Sequence, residues 1–191
     1  MIFSLKNYDI ENIVNIGAAD GYYAVGLALF LPQAKILAFE SEPRGQTAIS
    51  RIAEQNGVTE HITVYGCCQL QNLKNSLKSL AKVLLICDVE GFEDVLLDPE
   101  NIPELCEAMV LVELHDQKNP GVSNRIRQRF QSTHNIEVIF QQKRTEADFP
   151  ISNKYVQSLN PKHISAAVDE GRPITDAFEP MTWFWMLPKQ I

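Results

Sequence analysis

The chain has 191 residues, of which 45% are hydrophobic and 21% are charged, a composition typical of one folded globular domain. The formal net charge of −7 disfavours general binding to nucleic acid, because that class of protein neutralises phosphates with a basic surface. No apolar stretch reaches the length of a membrane-spanning helix, about 18 residues, and we expect no signal peptide because no basic segment precedes an apolar one at the N-terminus. Four cysteines without CxxC spacing indicate a reduced, cytoplasmic protein.

Short apolar segments alternate with longer segments of helical period through the first two thirds of the chain. Segments 83–87 and 108–112 are continuously apolar, which is typical of strands covered on both faces of a parallel sheet. The last apolar segment has no helix directly before it, so we expect that strand to run antiparallel. The pattern predicts an α/β fold with a doubly wound, mostly parallel seven-stranded sheet in a single domain over residues 1–191. Strands are predicted at 12–16, 35–40, 61–65, 83–87, 108–112, 136–140 and 181–187, and helices at 21–31, 43–56, 70–80 and around Ile126 and Phe130.

The regular alternation stops after Phe140. Residues 141–180 contain four prolines and show only weak periodicity. A long irregular segment inside a compact domain usually carries a function. We therefore expect an irregular insertion over 141–180 that shapes a substrate site.

The turn after the first strand has the features of a nucleoside-binding site. Gly17 and Gly21 allow a tight turn and a close approach of the backbone to a ligand. Glu40 ends the second strand, where its carboxylate can accept hydrogen bonds from ribose hydroxyls. Ala19 and Tyr22 stand where a dinucleotide fingerprint needs glycine. The turn therefore favours a nucleoside without phosphates, such as S-adenosylmethionine, over NAD.

Acidic residues follow the fourth and fifth strands at the same predicted edge of the sheet. Asp88, Glu90 and Glu93 come after the fourth strand, and Glu113 and His115 after the fifth. A bare carboxylate is costly to bury, so these residues need a partner or a function. We assign Asp88, Glu90 and His115 to function and interpret Glu93 and Glu113 as residues near helix starts. The isolated histidines are expected at the surface or at helix ends: His61, His134 and His163.

Segments 15–23, 38–43 and 88–93 resemble the FkbM-type methyltransferases. The resemblance implies a class I methyltransferase fold and S-adenosylmethionine-dependent O-methylation, with Asp88 and Glu90 between donor and acceptor. The chain has Asn15 where the family usually has an acid, Ala19 where it often has Asn, and Ile86 where it commonly has Lys. The residues that the resemblance assigns to the donor are Asn15, Gly17, Ala18, Ala19, Asp20, Gly21, Tyr22, Glu40 and Cys67.

Methyl transfer to a hydroxyl needs an in-line geometry and a group that removes a proton. His115 or Asp88 is the predicted base, and Glu90 is predicted to position the donor. In an alternative that no spacing in the chain requires, Asp88, Glu90, His115 and Asp116 converge on one divalent ion, Mg²⁺ or Mn²⁺.

Two other classes of function stay open. One is a non-catalytic, nucleoside-binding Rossmann-like protein, and the other is a nicotinamide-dependent oxidoreductase, which the glycine turn disfavours. For an enzyme, we expect a small-molecule or glycan acceptor, covered either by the insertion over 141–180 or by the second protomer of a homodimer.

Overall fold

A computed structural model describes residues 2–142 and 181–189 of the chain. Two compact units are present, one formed by residues 1–138 with 183–191 and the other by residues 139–182. In the second unit the described residues flank 143–180, and the Gln141 N–H donates to the carbonyl of Met181 over 2.8 Å. The predicted insertion lies outside the described residues except for its first two, so its part in a substrate site stays a prediction.

The strands form one mixed sheet, as the sequence predicts. They are β1 (Asn12–Ile16), β2 (Lys35–Phe39), β3 (Ile62–Tyr65), β4 (Val83–Cys87), β5 (Met109–Leu114), β6 (His134–Phe140) and β7 (Thr182–Pro188). The strand order is β3-β2-β1-β4-β5-β7-β6. The first five strands pair in parallel, and the last strand is antiparallel. The predicted seven-stranded α/β fold is therefore confirmed.

Local sequence signals mark the starts of two described helices, whereas the short helix at Glu93–Leu96 was not predicted. Pro43 opens the second helix, because its fixed φ suits the first helical turn. Gly21 precedes the first helix with a φ of +95°, a conformation that favours glycine. Within the described ranges, no helix is both long and apolar enough to cross a bilayer. The helices are α1 (Tyr22–Phe30), α2 (Pro43–Gln55), α3 (Leu70–Lys78), α4 (Glu93–Leu96) and α5 (Val122–Phe130), with 3-10 turns at Ile2–Asn7, Thr59–His61 and Pro103–Cys106.

The central strand β4 is buried along its whole length, as its continuous apolar run predicts. Leu85 packs in a core cluster with Leu73 of α3 and Phe130 of α5. Leu84 lines a small apolar cavity with Leu27 of α1. Because both faces of the sheet are filled by apolar side chains, polar groups gather beyond the carboxyl ends of the strands.

The turn after β1 lies against the end of β4. Gly17 has a φ of +75°, and a Cβ at this position would lie only 1.7 Å from the carbonyl oxygen of Asp88. The Gly17 N–H donates to the carbonyl of Phe39 over 3.0 Å, and the Asp88 N–H donates to the carbonyl of Ile16 over 3.0 Å. Only glycine fits this turn, because both the backbone conformation and the available space exclude a side chain.

His134 is buried, which corrects its assignment to the surface or a helix end. Its side chain is 2% exposed, its Nε2 lies 2.9 Å from the carbonyl oxygen of Ala108, and its Nδ1 lies 2.9 Å from Oγ1 of Thr133. The ring also contacts Phe130 edge to face. A neutral imidazole can donate from one nitrogen and accept at the other, so the interior accommodates it.

We expect Gly17→Ala to lower the free energy of unfolding by more than about 2 kcal/mol, because the side chain adds both backbone strain and a clash with Asp88. Gly26 in α1 is the matched control, since a Cβ there meets nothing within 4 Å. Alanine at Gly26 should stabilise the helix by about 1 kcal/mol. Urea unfolding of both variants measures the difference. Equal stability of the two variants would contradict the close contact.

Burial lowers the pKa of His134 below its ordinary value of 6.5, with the Lys189 charge acting in the same direction and the Ala108 hydrogen bond opposing it. The folded chain therefore binds fewer protons at His134 than the unfolded chain. The corresponding stability is present above the ordinary pKa and is lost as the pH falls through the folded pKa.

We expect the stability advantage of the wild type over His134→Gln to shrink between about pH 7.5 and about pH 5, as measured by urea unfolding at both values. His61→Gln, at a partly exposed histidine, is the control for the substitution itself. A difference for His134→Gln that stays the same at both pH values would show that protonation at this position is not linked to folding.

Candidate functional site

A cavity of about 650 Å³ lies at the carboxyl ends of the parallel strands. Gly17 and Ala19 reach it from the turn after β1, and Glu40 from the end of β2. Asp88 and Glu90 reach it from the end of β4. The turn after β3 and the short helix α4 supply the remaining walls. Loops that follow four parallel strands, β1 to β4, therefore line one cavity.

The Glu40 carboxylate stabilises the glycine turn, residues 17–21, by hydrogen bonding. Its Oε2 accepts the Ala19 N–H over 2.7 Å, and its Oε1 accepts the Glu42 N–H over 2.7 Å. Gly45 packs so closely on Glu40 that a Cβ there would lie 2.7 Å from Cγ of Glu40. Oε1 also accepts the Ser41 hydroxyl over 3.4 Å, so Oε2, which has a second lone pair, is the oxygen with acceptor capacity left for a ligand hydroxyl.

Four of the residues predicted to bind the donor line the cavity: Gly17, Ala19, Glu40 and Cys67. Ala19 has a φ of +48°, in the left-handed region that an Asn side chain tolerates better than Ala. The resemblance noted above places Asn at this position, and the backbone conformation gives a physical reason for that preference.

The other predicted donor residues support the turn or lie outside the cavity wall. Ala18 is buried, and its N–H donates to the carbonyl of Phe39 over 3.0 Å. The Gly21 N–H closes the turn on the carbonyl of Ala18 over 2.8 Å. Asp20 is exposed, and Tyr22 is 73% exposed at the start of α1.

Asn15 is fully buried in β1, beside Ala38 and Ile86 in the parallel pairing. Neither its amide nitrogen nor its amide oxygen has a hydrogen-bond partner in the described part of the chain. A buried polar atom without a partner costs about 1–3 kcal/mol, which marks this position as one the fold alone does not explain.

Part of the cavity wall is apolar. Leu70, Val89 and Leu96 line it, together with Phe92 and Val95, which are 64% and 55% exposed. A flat apolar ring can therefore pack against this side of the cavity. Sequence reasoning missed this wall, because its residues come from α3, α4 and the loop between β4 and α4, which only the folded sheet brings together.

The turn after β3 contributes Cys67 and Cys68 to the wall. Burial raises the pKa of the Cys68 thiol to about 12, with a further contribution from Cys67 and an opposing backbone hydrogen bond at Leu73. The Cys68 thiol is therefore protonated near neutral pH. This protonation suits contact with a ligand rather than nucleophilic chemistry.

His115 lies behind the acidic part of the wall. It is 5% exposed, and it is not among the residues that line the cavity. Its Nδ1 lies 2.6 Å from Oε1 of Glu93, which is itself fully buried. Its Nε2 faces Oε2 of Glu90 at 3.3 Å and Oδ1 of Asp88 at 3.7 Å. The structure thus joins the three predicted catalytic residues in one cluster, with His115 enclosed.

Burial and the neighbouring carboxylates have opposite effects on the pKa of His115. Burial alone lowers the pKa of the ring, but the hydrogen bond to Glu93 and the negative charges of Glu93, Glu113 and Glu90 outweigh it. The pKa of His115 is therefore raised above its ordinary value of 6.5.

Glu93, Glu113 and Lys118 were not predicted as members of this cluster. Glu93 does open α4, as its interpretation near a helix start requires, but its carboxylate turns inward to His115. Glu113 lies inside β5, because that strand runs further than the predicted 108–112, and its Oε1 is 3.6 Å from Nε2 of His115. The ammonium of Lys118 contacts the carboxylate of Glu90. The sequence signal available for Glu113 was its position two residues before His115, at the end of an apolar run.

Asp88, Glu90 and His115 each offer a ligand atom within 4.8 Å of the others. Asp116 does not join them, and its Oδ1 accepts the Ser123 N–H over 3.4 Å. The four-residue convergence considered from the sequence is therefore reduced to three residues in the structure.

No model of a known protein family matches the chain, and no curated protein sequence matches it. Solved structures are similar in fold. An O-methyltransferase from Bacillus cereus in complex with SAH is 11% identical with a TM-score of 0.60, over 98% of this chain and 78% of that one. The O-methyltransferase TomG from Streptomyces achromogenes, in complex with SAM, is 13% identical with a TM-score of 0.59, over 98% of this chain and 77% of that one.

A third similar structure is the precorrin-6y C5,15-methyltransferase from Geobacter metallireducens GS-15, 11% identical with a TM-score of 0.59 over 98% of this chain and 86% of that one. These identities are low, so the likeness concerns the fold. The chain has the Rossmann-like fold of class I S-adenosylmethionine-dependent methyltransferases.

Proposed function

We propose that this chain is an S-adenosylmethionine-dependent methyltransferase that transfers a methyl group to a hydroxyl oxygen of a small molecule or glycan. One observation carries the proposal: the glycine turn, the Glu40 carboxylate and the acids after β4 line the same cavity. The methyltransferase fold is consistent with it.

The donor half of the cavity is built for a nucleoside. Glu40 is held by the Ala19 and Glu42 N–H groups, so its carboxylate is preorganised to accept hydrogen bonds from the ribose hydroxyls. Adenine packs against the apolar wall that includes Leu70 and Val89. Gly17 lets the methionine part approach the backbone. Asn15 near the end of β1 is also assigned to the donor, because its buried amide has no partner among the described residues.

The acceptor half is acidic. In the reaction, the acceptor oxygen forms a bond to the methyl carbon while the carbon–sulfur bond breaks, leaving S-adenosylhomocysteine as a neutral thioether. The hydroxyl proton passes to a nearby base. Asp88 lines the cavity and His115 does not, so of the two predicted bases we assign this task to Asp88. Glu90 lines the cavity beside it and positions the donor, and Nε2 of His115 faces both carboxylates from behind.

The two competing functions differ from this one in specific features. An oxidoreductase needs room for a pyrophosphate at the glycine turn, where Ala19 carries a side chain against the cavity. A non-catalytic nucleoside-binding protein has no use for an acidic cluster beside the nucleoside, since buried charges are costly.

Three finer points belong to the same proposal. We place the chain among the FkbM-type methyltransferases because segments 15–23, 38–43 and 88–93 resemble that family. We place the protein in the cytoplasm, where its free cysteines stay reduced. Either residues 141–180 or the second protomer of a homodimer covers the acceptor.

We expect Glu40→Gln to weaken binding of S-adenosylmethionine about tenfold or more, because a hydrogen bond to a charged group contributes about 1.5–3 kcal/mol. Glu42→Gln is the matched control, since the Glu42 side chain is exposed and contributes only its backbone N–H to Glu40. Isothermal titration calorimetry measures both, with NAD⁺ as the comparison ligand. Equal affinities for the two variants, or heat from NAD⁺ alone, would rule out the proposed donor site.

We expect Asp88→Asn to lower kcat by about 10²–10⁴-fold and to change donor affinity little, because the amide cannot take up the acceptor proton. Release of S-adenosylhomocysteine is measured with the best acceptor from a panel of phenols, sugars and glycans. Asp9→Asn, at a surface residue paired with Lys82, is the control. Donor binding without turnover on any panel member would favour the non-catalytic alternative.

A further inference from the structure

The Nε2 atom of His115 is a buried polar atom without a hydrogen-bond partner among the described residues. The side chain is 5% exposed, so solvent does not compensate for the missing bond. The atom is aimed at carboxylate oxygens of Glu90 and Asp88, at 3.3 Å and 3.7 Å. Such an arrangement leaves a nitrogen lone pair and two anionic oxygens directed at one point.

The other ring nitrogen of His115 is already committed. Nδ1 lies 2.6 Å from Oε1 of the fully buried Glu93, and this oxygen also accepts the Gly91 N–H over 2.9 Å. A carboxylate that accepts from one ring nitrogen fixes the tautomer and the ring orientation, and leaves the opposite nitrogen as a lone-pair donor. Histidines that bind metals commonly have this support.

Four carboxylates surround the ring. Those of Asp88, Glu90, Glu93 and Glu113 all lie within 4.0 Å of ring nitrogens of His115. Among the described residues, the ammonium of Lys118 contacts the Glu90 carboxylate. Carboxylates held this close repel one another, and a divalent cation bound between them would lower that repulsion.

The separations are close to those that a shared ion requires. The three ligand atoms lie within 4.8 Å of one another, and ligand atoms about 2.0–2.2 Å from one ion can be no more than about 4.4 Å apart. Small side-chain movements therefore suffice to close the site. Two carboxylates with one imidazole are a donor set suited to Mn²⁺.

We propose that Asp88, Glu90 and His115 form a binding site for one divalent cation of the Mn²⁺ class, with Glu93 positioning the His115 ring. The site borders the cavity through Asp88 and Glu90. The role of the ion there rests on the proposed function, whereas its binding does not. Such an ion would lower the pKa of an acceptor hydroxyl coordinated to it, and the Asp88 oxygen that does not bind the ion would still take up the hydroxyl proton.

Binding is tested with Mn²⁺ alone, by the loss of the electron paramagnetic resonance signal of free Mn²⁺ on titration into the full chain. We expect one ion per chain, and at least about tenfold weaker binding for Asp88→Asn and for Glu90→Gln. Both side chains are partly exposed, so these variants are expected to fold. Asp116→Asn is the matched control and should bind Mn²⁺ as the wild type does, since its carboxylate is turned to Ser123.

A substitution at Lys118 should change the affinity for Mn²⁺ in the opposite direction. If its ammonium competes with the ion for Glu90, Lys118→Gln should bind Mn²⁺ several-fold more tightly than the wild type. Lys78→Gln, at the end of α3, is the control for a general change of charge.

The proposal is overturned if the wild type binds no Mn²⁺, or if Asp88→Asn and Glu90→Gln bind it as tightly as the wild type. Because donor and acceptor are absent from this titration, either result leaves the calorimetric test of S-adenosylmethionine binding unaffected. Conversely, Mn²⁺ binding by a chain that does not bind S-adenosylmethionine would support the metal site and refute the proposed function.

Discussion

The candidate site depends on the close approach of two loop backbones, where Gly17 lies against the carbonyl oxygen of Asp88. A parallel sheet places the carboxyl ends of β1 and β4 side by side, but only a residue without Cβ lets the two loops touch. This contact joins the glycine turn, which suits a nucleoside, to the acidic residues, which suit a polar acceptor. Without it the two halves would lie too far apart to share one cavity.

Local strain accompanies this arrangement on both sides. Ala19 and Glu90 are non-glycine residues with φ values of +48° and +55°. Such conformations cost about 1–3 kcal/mol each and persist only where the surroundings determine them. Hydrogen bonds from the Ala19 and Glu42 N–H groups to Glu40 hold one loop, and contacts of Glu90 with Lys118 and His115 hold the other. The third such residue in the described chain is Lys82 before β4, with a φ of +52°, so two of the three strained positions border the cavity.

The fold followed from sequence because hydrophobic periodicity determines it: the continuously apolar run of β4 and the helix signals at Pro43 and Gly21 correspond to the observed elements. The meeting of four loops was also predictable, since parallel strands share an edge. Side-chain direction beyond a strand end was not. Glu93 turns inward after a loop with positive φ at Glu90 and Gly91, and no periodicity reports that turn. His134 was misplaced for a similar reason, because its partner Ala108 is distant in sequence.

The central claim is that an adenosine lies in this cavity with its ribose on Glu40 and its sulfur toward Asp88. A crystal structure of the chain with S-adenosylhomocysteine tests it most directly. The account predicts both ribose hydroxyls within hydrogen-bond distance of the Glu40 carboxylate, adenine against the wall that includes Leu70 and Val89, and the sulfur facing the acids after β4. A nucleoside bound elsewhere, or bound here with its ribose turned away from Glu40, would contradict the account.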